Sequence, residues 1–381
     1  MIALPSSALG WAFFLASSWT WCIGMYLPVL LTRDYGWWGW VVFAVPNVVG
    51  AAAMAWVLRD ADASRRVTDH HRAACVVFTL VTIAFHAFFA VYIVRQVAGI
   101  SVAWLVVPVV GHVLAMSMLR RGGVADRVLA MLTFAVSITA FLIAVLWSET
   151  NRAGDSPFGT LPWNKDLLAL APVCVLGFLC CPYLDLTFHR ARQSTTPAGG
   201  RFAFTVGFGA LFLAMISFTL WYAKPLASIP FMPYWNVAGV VILIHIVTQM
   251  VFTVSVHTRE LRRPMSTGVL GPVLLVGGAG ALGFIDLTYP GLFHDMRTGE
   301  LIYRSFMGMY GLVFPAYVWI CMLPSRGAAG PTRRNLLVCA GAVLVALPMF
   351  WMGFIERQTL WLLPGVAVVL LARLFARRAS R

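Results

Sequence analysis

Two apolar stretches of the chain set helix-breaking residues beside residues that can bind. The first reads Trp19-Thr20-Trp21-Cys22-Ile23-Gly24-Met25-Tyr26-Leu27-Pro28 and the second Gly177-Phe178-Leu179-Cys180-Cys181-Pro182-Tyr183-Leu184-Asp185. A Gly or Pro inside an apolar helix frees backbone carbonyls and amides that hydrocarbon cannot satisfy. Such breaks are tolerated where they line a cavity, and half-helix ends there carry usable partial charge. The chemistry on offer is binding of a small solute or an ion. Trp21, Cys22, Gly24, Met25 and Tyr26 would serve from one break, and Cys181, Pro182 and Tyr183 from the other. A plain Pro kink is the structural alternative for each stretch.

Ionisable groups inside apolar stretches are costly and point to function. Asp185 follows the second break and could carry a proton or balance a bound cation. Its alternatives are pairing with His189 at i,i+4 or with Arg190. His245 lies near the middle of its stretch with Thr248 and Gln249 on the same helical face, and His86 lies near the middle of another. The two His could bracket a polar ligand or relay protons, or each could serve only in helix packing. No Cys-x-x-Cys-His or Glu-x-x-His motif occurs, so no metal, haem or other cofactor is expected. Cys180 and Cys181 read as packing residues, as do the glycines from Gly268 to Gly283. Asn47, after Pro46, reads as an interhelical hydrogen bond or as support for the site from behind. Asp286 reads as lying at the interface.

The elements that must position these residues follow from composition. Of 381 residues 60% are hydrophobic and 11% charged, against roughly half and a quarter in soluble domains, so the chain is an integral membrane protein. About 20 apolar residues cross the hydrocarbon, and twelve such stretches occur: 9–31, 36–58, 73–95, 99–118, 127–148, 166–188, 202–222, 235–257, 268–288, 302–323, 335–355 and 358–376. The expected fold is an all-α polytopic membrane protein of about twelve transmembrane helices. Most Trp fall at stretch ends, as an interfacial belt requires; Trp19 and Trp21 beside the first break do not. No loop is long enough for a soluble domain, and no cleavable signal peptide is read at the N-terminus.

With the N-terminus inside, the inner loops hold 20 of the 28 basic residues, at least three in each, and no outer loop holds more than two. The positive-inside rule then puts both termini in the cytoplasm. The net charge of +14 is thus a topology and anionic-lipid signal, and no nucleic-acid partner is expected. The plasma membrane is the expected location. Twenty-six of the 28 basic residues are Arg, which inclines the source toward bacteria.

Under a five-plus-five repeat the first and sixth spans are counterparts that cross in opposite directions, and both are interrupted here. Cytoplasmic termini, twelve spans and these two breaks resemble the leucine-transporter fold, shared by sodium:solute symporters and amino-acid/polyamine/organocation transporters. The resemblance implies an inverted five-helix repeat (1–157 and 158–323) followed by two C-terminal helices (324–381). It implies a solute site between spans one and six, with three and eight alongside. It also implies a sodium site between first-span carbonyls near Trp21 to Gly24 and hydroxyls of span eight, for which Thr248 and Thr253 are available. Span eight lacks an adjacent Ser/Thr pair near its centre, so a proton at Asp185 stands level with sodium as the coupling ion.

The expected function is secondary active transport of a small organic solute coupled to H+ or Na+, without enzymatic activity. The partners are the solute, the ion and membrane lipids. A membrane-embedded enzyme for a lipid-linked substrate is the competing class, with the outer segments Asp155 to Asp166 and Phe293 to Arg304 as its only polar surfaces. A sensor module is the other; it would lead into a signalling domain, and the chain stops at Arg381 just after its last span.

Overall fold

The computed structural model describes residues 7–119, 123–151, 163–227, 237–261, 270–285, 296–323 and 331–376, and among these the chain is helical with no β-strand. The first span is two helices, α1 (Ser7–Trp19) and α2 (Cys22–Tyr35), bent by 56° at the junction. The chain turns at Gly36, whose φ of 70° favours a residue without Cβ, into α3 (Trp37–Val57). A short polar helix, α4 (Ala61–His70), starts where the Asp60 carboxylate accepts the Ala63 amide at 2.7 Å. Then come α5 (Arg72–Ala98), α6 (Ile100–Leu119) and α7 (Val124–Asn151). α8 (Leu167–Cys180) passes through a 3₁₀ turn at Cys181–Leu184 and one extended residue, Asp185, into α9 (Leu186–Gln193).

The remaining helices are α10 (Pro197–Val206), α11 (Leu213–Ala227), α12 (Val237–Glu260), α13 (Leu270–Leu282), α14 (Thr298–Gly308), α15 (Phe314–Tyr317), α16 (Arg333–Phe354) and α17 (Leu362–Ala372). A π-helical turn over Gly207–Phe212 joins α10 to α11, and another over Met309–Val313 joins α14 to α15. Among the described residues, eight helical stretches are long and apolar enough to cross a membrane, or nine with α1 and α2 counted as one span. Three shorter apolar helices, Ile100–Leu114, Gly271–Leu282 and Thr359–Phe375, fall in the fourth, ninth and twelfth expected stretches. The protein is a multi-pass all-α membrane protein.

Burial separates centre from rim. α2 and most of α5 are buried, whereas α7 and α16 turn most of their apolar surface outward, and Leu344 is 68% exposed. Leu, Val and Trp so exposed would drive aggregation in water and are at rest against lipid tails. The central helices touch through small residues. At Gly50 of α3 a Cβ would stand 2.3 Å from the carbonyl oxygen of Phe178 in α8, so the two backbones are in direct contact. Gly271 on the lipid side has nothing within 4 Å. Gly50→Ala should therefore cost about 1–3 kcal/mol and lower the thermal unfolding midpoint in detergent, while Gly271→Ala leaves it unchanged. Of the glycines expected to pack in span nine, Gly283 meets Val91 and Phe88 of α5, but Gly277 and Gly278 face open space.

Candidate functional site

The first span breaks at Thr20 and Trp21, upstream of Gly24 and Pro28, both of which lie inside continuous α2. The expected position is corrected by the polar residues around the break. Thr20 Oγ1 donates to the Ala16 carbonyl at 2.9 Å, the Trp21 indole N–H to the Ser18 carbonyl, and Thr253 Oγ1 of α12 to the Ser17 carbonyl at 3.4 Å. Side chains thus take up carbonyls near the interruption, as burial requires. The second break lies where its residues pointed. Asp185 caps α9, its Oδ1 accepting the Thr187 amide and hydroxyl, both at 2.7 Å.

The two breaks meet. Thr187 Oγ1 lies 3.4 Å from Ser18 Oγ, and the rings of Trp19 and Phe188 are 4.8 Å apart. Beside them is a cavity of about 60 Å³ walled by α2, α3, α8, the segment from α14 to α15, and the end of α16. At roughly 10–15 Å³ per water it holds a few waters or a solute of similar bulk. Trp21, Gly24, Cys181 and Asn47 line it, with Tyr310 and Arg304 opposite. The Trp19 indole donates to Asn47 Oδ1 at 2.6 Å, so Asn47 both bridges helices and faces the cavity. Cys181 Sγ lies 3.4 Å from the Tyr310 carbonyl, in the π-helical turn. Such turns displace backbone groups from the regular ladder and recur at functional sites.

Other expected site residues stand elsewhere. Cys22 and Met25 turn their backbone carbonyls to the hydroxyls of Tyr303 (3.0 Å) and Tyr222 (2.8 Å), and Tyr26 meets the Tyr92 hydroxyl at 3.2 Å. Their side chains do not line the cavity, because α2 directs these residues toward α5, α11 and α14. Pro182 and Tyr183 form the 3₁₀ turn behind Cys181. Gln249 donates to Ser137 of α7 at 2.8 Å, and His245 packs on Phe218 and Tyr222, away from the cavity. Thr248 is half-buried on α12. Thr253 reaches the first span, but at Ser17 below the break and not at Trp21 to Gly24.

His86 and His245 pack on different rings, His86 on Trp21 and His245 on Phe218 and Tyr222. The Trp21 ring is flanked by His86 at 6.3 Å and by His257 of α12 at 5.5 Å. Asp185 pairs with neither of its expected partners. His189 is held by Ser64 (2.8 Å) and the Tyr183 carbonyl (2.9 Å), and Arg190 leaves for a charge network described next.

Two buried ion networks lie at opposite ends of the broken first span. At the α1 end, Arg190 of α9 bonds Asp126 of α7 and Glu260 of α12 (2.9 Å), while Arg259 also meets Asp126. Arg190 covers the rings of Trp11 and Phe14 of α1. At the α2 end, Arg33 forks onto Glu300 of α14 (2.6 and 2.8 Å), and Arg304 joins Glu300 (2.8 Å) to Asp34 (2.6 Å). Arg357 adds a contact to Glu300 at 3.3 Å from a backbone held at φ 55°, a strained setting for a side-chain-bearing residue. Neither network was expected; their residues sit at span ends, where charge is ordinary. The spacing Glu300 to Arg304, i,i+4, was the one legible signal.

The chain matches no family model, no curated protein and no solved structure. Of the outer segments considered for an enzyme, 155–162 and 293–295, with Asp155, His294 and Asp295, fall outside the described residues, as does Asp286, which was expected at the interface; Arg304 turns inward to the network.

Proposed function

We propose that the chain is a secondary active transporter of a small organic solute, working by alternate opening of its two faces around the cavity between the broken spans. One observation carries the reading: both interrupted spans border one cavity, and a separate ion network lies at each end of the broken first span. Such networks are stable only while fully paired, so each is a discrete latch. A pore would need no second closure.

The packing pattern supports an inverted five-helix repeat over 1–157 and 158–323, with two added helices. The first span packs on α10 and α11 as the sixth packs on α3; α5 packs on α13 as α12 packs on α6. Each pair becomes the other when the halves are exchanged. Counting the three shorter helices gives twelve spans, as in the leucine-transporter fold. The excess of Arg in the α1-side loops supports a reading with that side and both termini in the cytoplasm.

The cavity wall suggests the solute's chemistry. It is mostly apolar, with the Asn47 amide, the Arg304 guanidinium, Tyr35 and Tyr310 among its lining residues and, at one side, the first turn of α2, whose cap residue Trp21 makes no side-chain cap bond. That helix end is electropositive and suits the carbonyl or carboxylate oxygen of a compact, otherwise apolar molecule.

The test is a thermal-shift screen of purified protein with short carboxylic acids, amino acids and amines, followed by uptake into proteoliposomes. A solute that stabilises the protein should also protect Cys181 from N-ethylmaleimide and enter loaded vesicles faster than empty ones. Stabilising solutes that are never taken up above the lipid background contradict transport.

A further inference from the structure

Beside the solute cavity, four polar atoms sit in the protein's centre with no hydrogen-bond partner: Asp185 Oδ2, both ring nitrogens of His257, and His86 Nε2. Asp185 and His257 are fully buried and His86 is 1% exposed. Each such atom left bare costs about 1–3 kcal/mol, so grouping Asp185 Oδ2 with two imidazoles that flank one Trp ring needs a reason. Asp185 Oδ1 is used by its cap, whereas Oδ2 faces His257 Nε2 at 3.9 Å, too long for a hydrogen bond and within reach of one after a small shift. His86 gives its Nδ1 proton to the Thr82 carbonyl at 2.7 Å, leaving Nε2 as a lone pair.

We propose that Asp185 and His257 form the coupling site and that the coupled ion is a proton, held between Asp185 Oδ2 and His257 Nε2. This rests on the transport reading above. One proton arriving from solution adds to the pair, closes the 3.9 Å gap as an N–H···O bond and takes the pair from a single negative charge to neutrality. Its return to solution on the other side restores the bare carboxylate. The donor set argues for a proton: a sodium ion seeks several oxygen ligands, and two imidazoles with one free carboxylate oxygen do not supply them.

The pair's position ties proton access to the latch. α9 carries Asp185 at its start and Arg190 in its last turn; α12 carries His257 and, three residues on, Glu260. The pair therefore lies on the inward side of the Asp126–Arg190–Glu260–Arg259 network, and separating that network bares it to the α1 side. Among the described residues, the ionisable groups within electrostatic reach of Asp185 include Glu260 of α12, Cys75 of α5, Cys181 beside Pro182, and Tyr310 of the π-helical turn; His86 of α5 is within reach of His257. Glu260 is engaged by Arg190, and Tyr310 bonds the Thr82 hydroxyl at 3.0 Å. On α9 His189 has both nitrogens bonded.

The Trp21 ring against His257 supplies the reporter, because an imidazolium quenches an indole that it touches. Intrinsic fluorescence of the detergent-purified protein is followed through an acid–base titration, in sodium chloride and in choline chloride. The expected result is a reversible transition that is absent in Trp21→Phe, lost in His257→Gln, and in Asp185→Asn needs more acid, since the variant keeps the capping oxygen and loses the charge. Choline should change nothing. A transition that survives His257→Gln, or one that sodium displaces, overturns the proton site. The titration needs no solute and no transport, so its failure leaves the transport reading to the thiol-access measurements below.

Discussion

Glu300→Gln should open the α2 side of the protein and expose the cavity to it. Glu300 is 2% exposed and receives Arg33, Arg304 and Arg357; without its charge these three guanidinium groups share only Asp34. Removing one member of a buried ion pair costs about 3–5 kcal/mol because the remaining charge is left uncompensated. That penalty falls on the closed arrangement, since in the open one water reaches the arginines. A shift of about 3 kcal/mol changes the ratio of closed to open by roughly a hundredfold. The readout is Cys181, which lines the cavity and is buried. A membrane-impermeant thiosulfonate added on the α2 side, with the site of modification located by mass spectrometry, should label Cys181 about a hundred times faster in the variant. Cys75, buried against other helices, is the internal control for unfolding. An unchanged rate at Cys181 would show that the network is not a closure.

Asp126→Asn should do the same from the α1 side. Asp126 is fully buried and receives both Arg190 and Arg259, so its loss leaves two arginines with Glu260 alone. The physical cost is of the same order, about 3–5 kcal/mol. Arg190 also lies over Trp11 and Phe14, so loosening it frees α1, the half-helix whose departure would uncover the breaks. Labelling of Cys181 from the α1 side should rise by about two orders of magnitude. Arg192 on the same helix is expected to be different. Its guanidinium caps α3 by bonding the Leu58 carbonyl at 2.8 Å and the Arg59 carbonyl, so Arg192→Ala should lower stability without favouring either side.

Span positions were legible because hydrophobic length is a local property: α3 (Trp37–Val57) and α12 (Val237–Glu260) fall within a few residues of the stretches expected for them. The second break was legible for the same reason, since Cys181-Pro182-Tyr183 and Asp185 carry their own turn and cap. The first was displaced by four residues because Thr20 and Trp21 satisfy carbonyls with side chains, and no Gly or Pro marks that. His257 escaped notice at the end of its stretch, where a His is ordinary. Arg33 and Glu300 are 267 residues apart, and a contact of that separation is set by tertiary packing alone. Pairing of His86 with His257, not His245, follows from which face α12 turns to Trp21, a rotation of one helix that no sequence period fixes.

The central claim is that opening one side closes the other. In sealed membrane vesicles of either orientation, Cys181 labelling is measured from each side in the unaltered protein, in Glu300→Gln and in Asp126→Asn. The account predicts reciprocity: Glu300→Gln labels faster from the α2 side and more slowly from the α1 side than the unaltered protein, and Asp126→Asn reverses both changes. Either variant labelling faster from both sides at once would describe a leak or a pore, and would contradict alternating access.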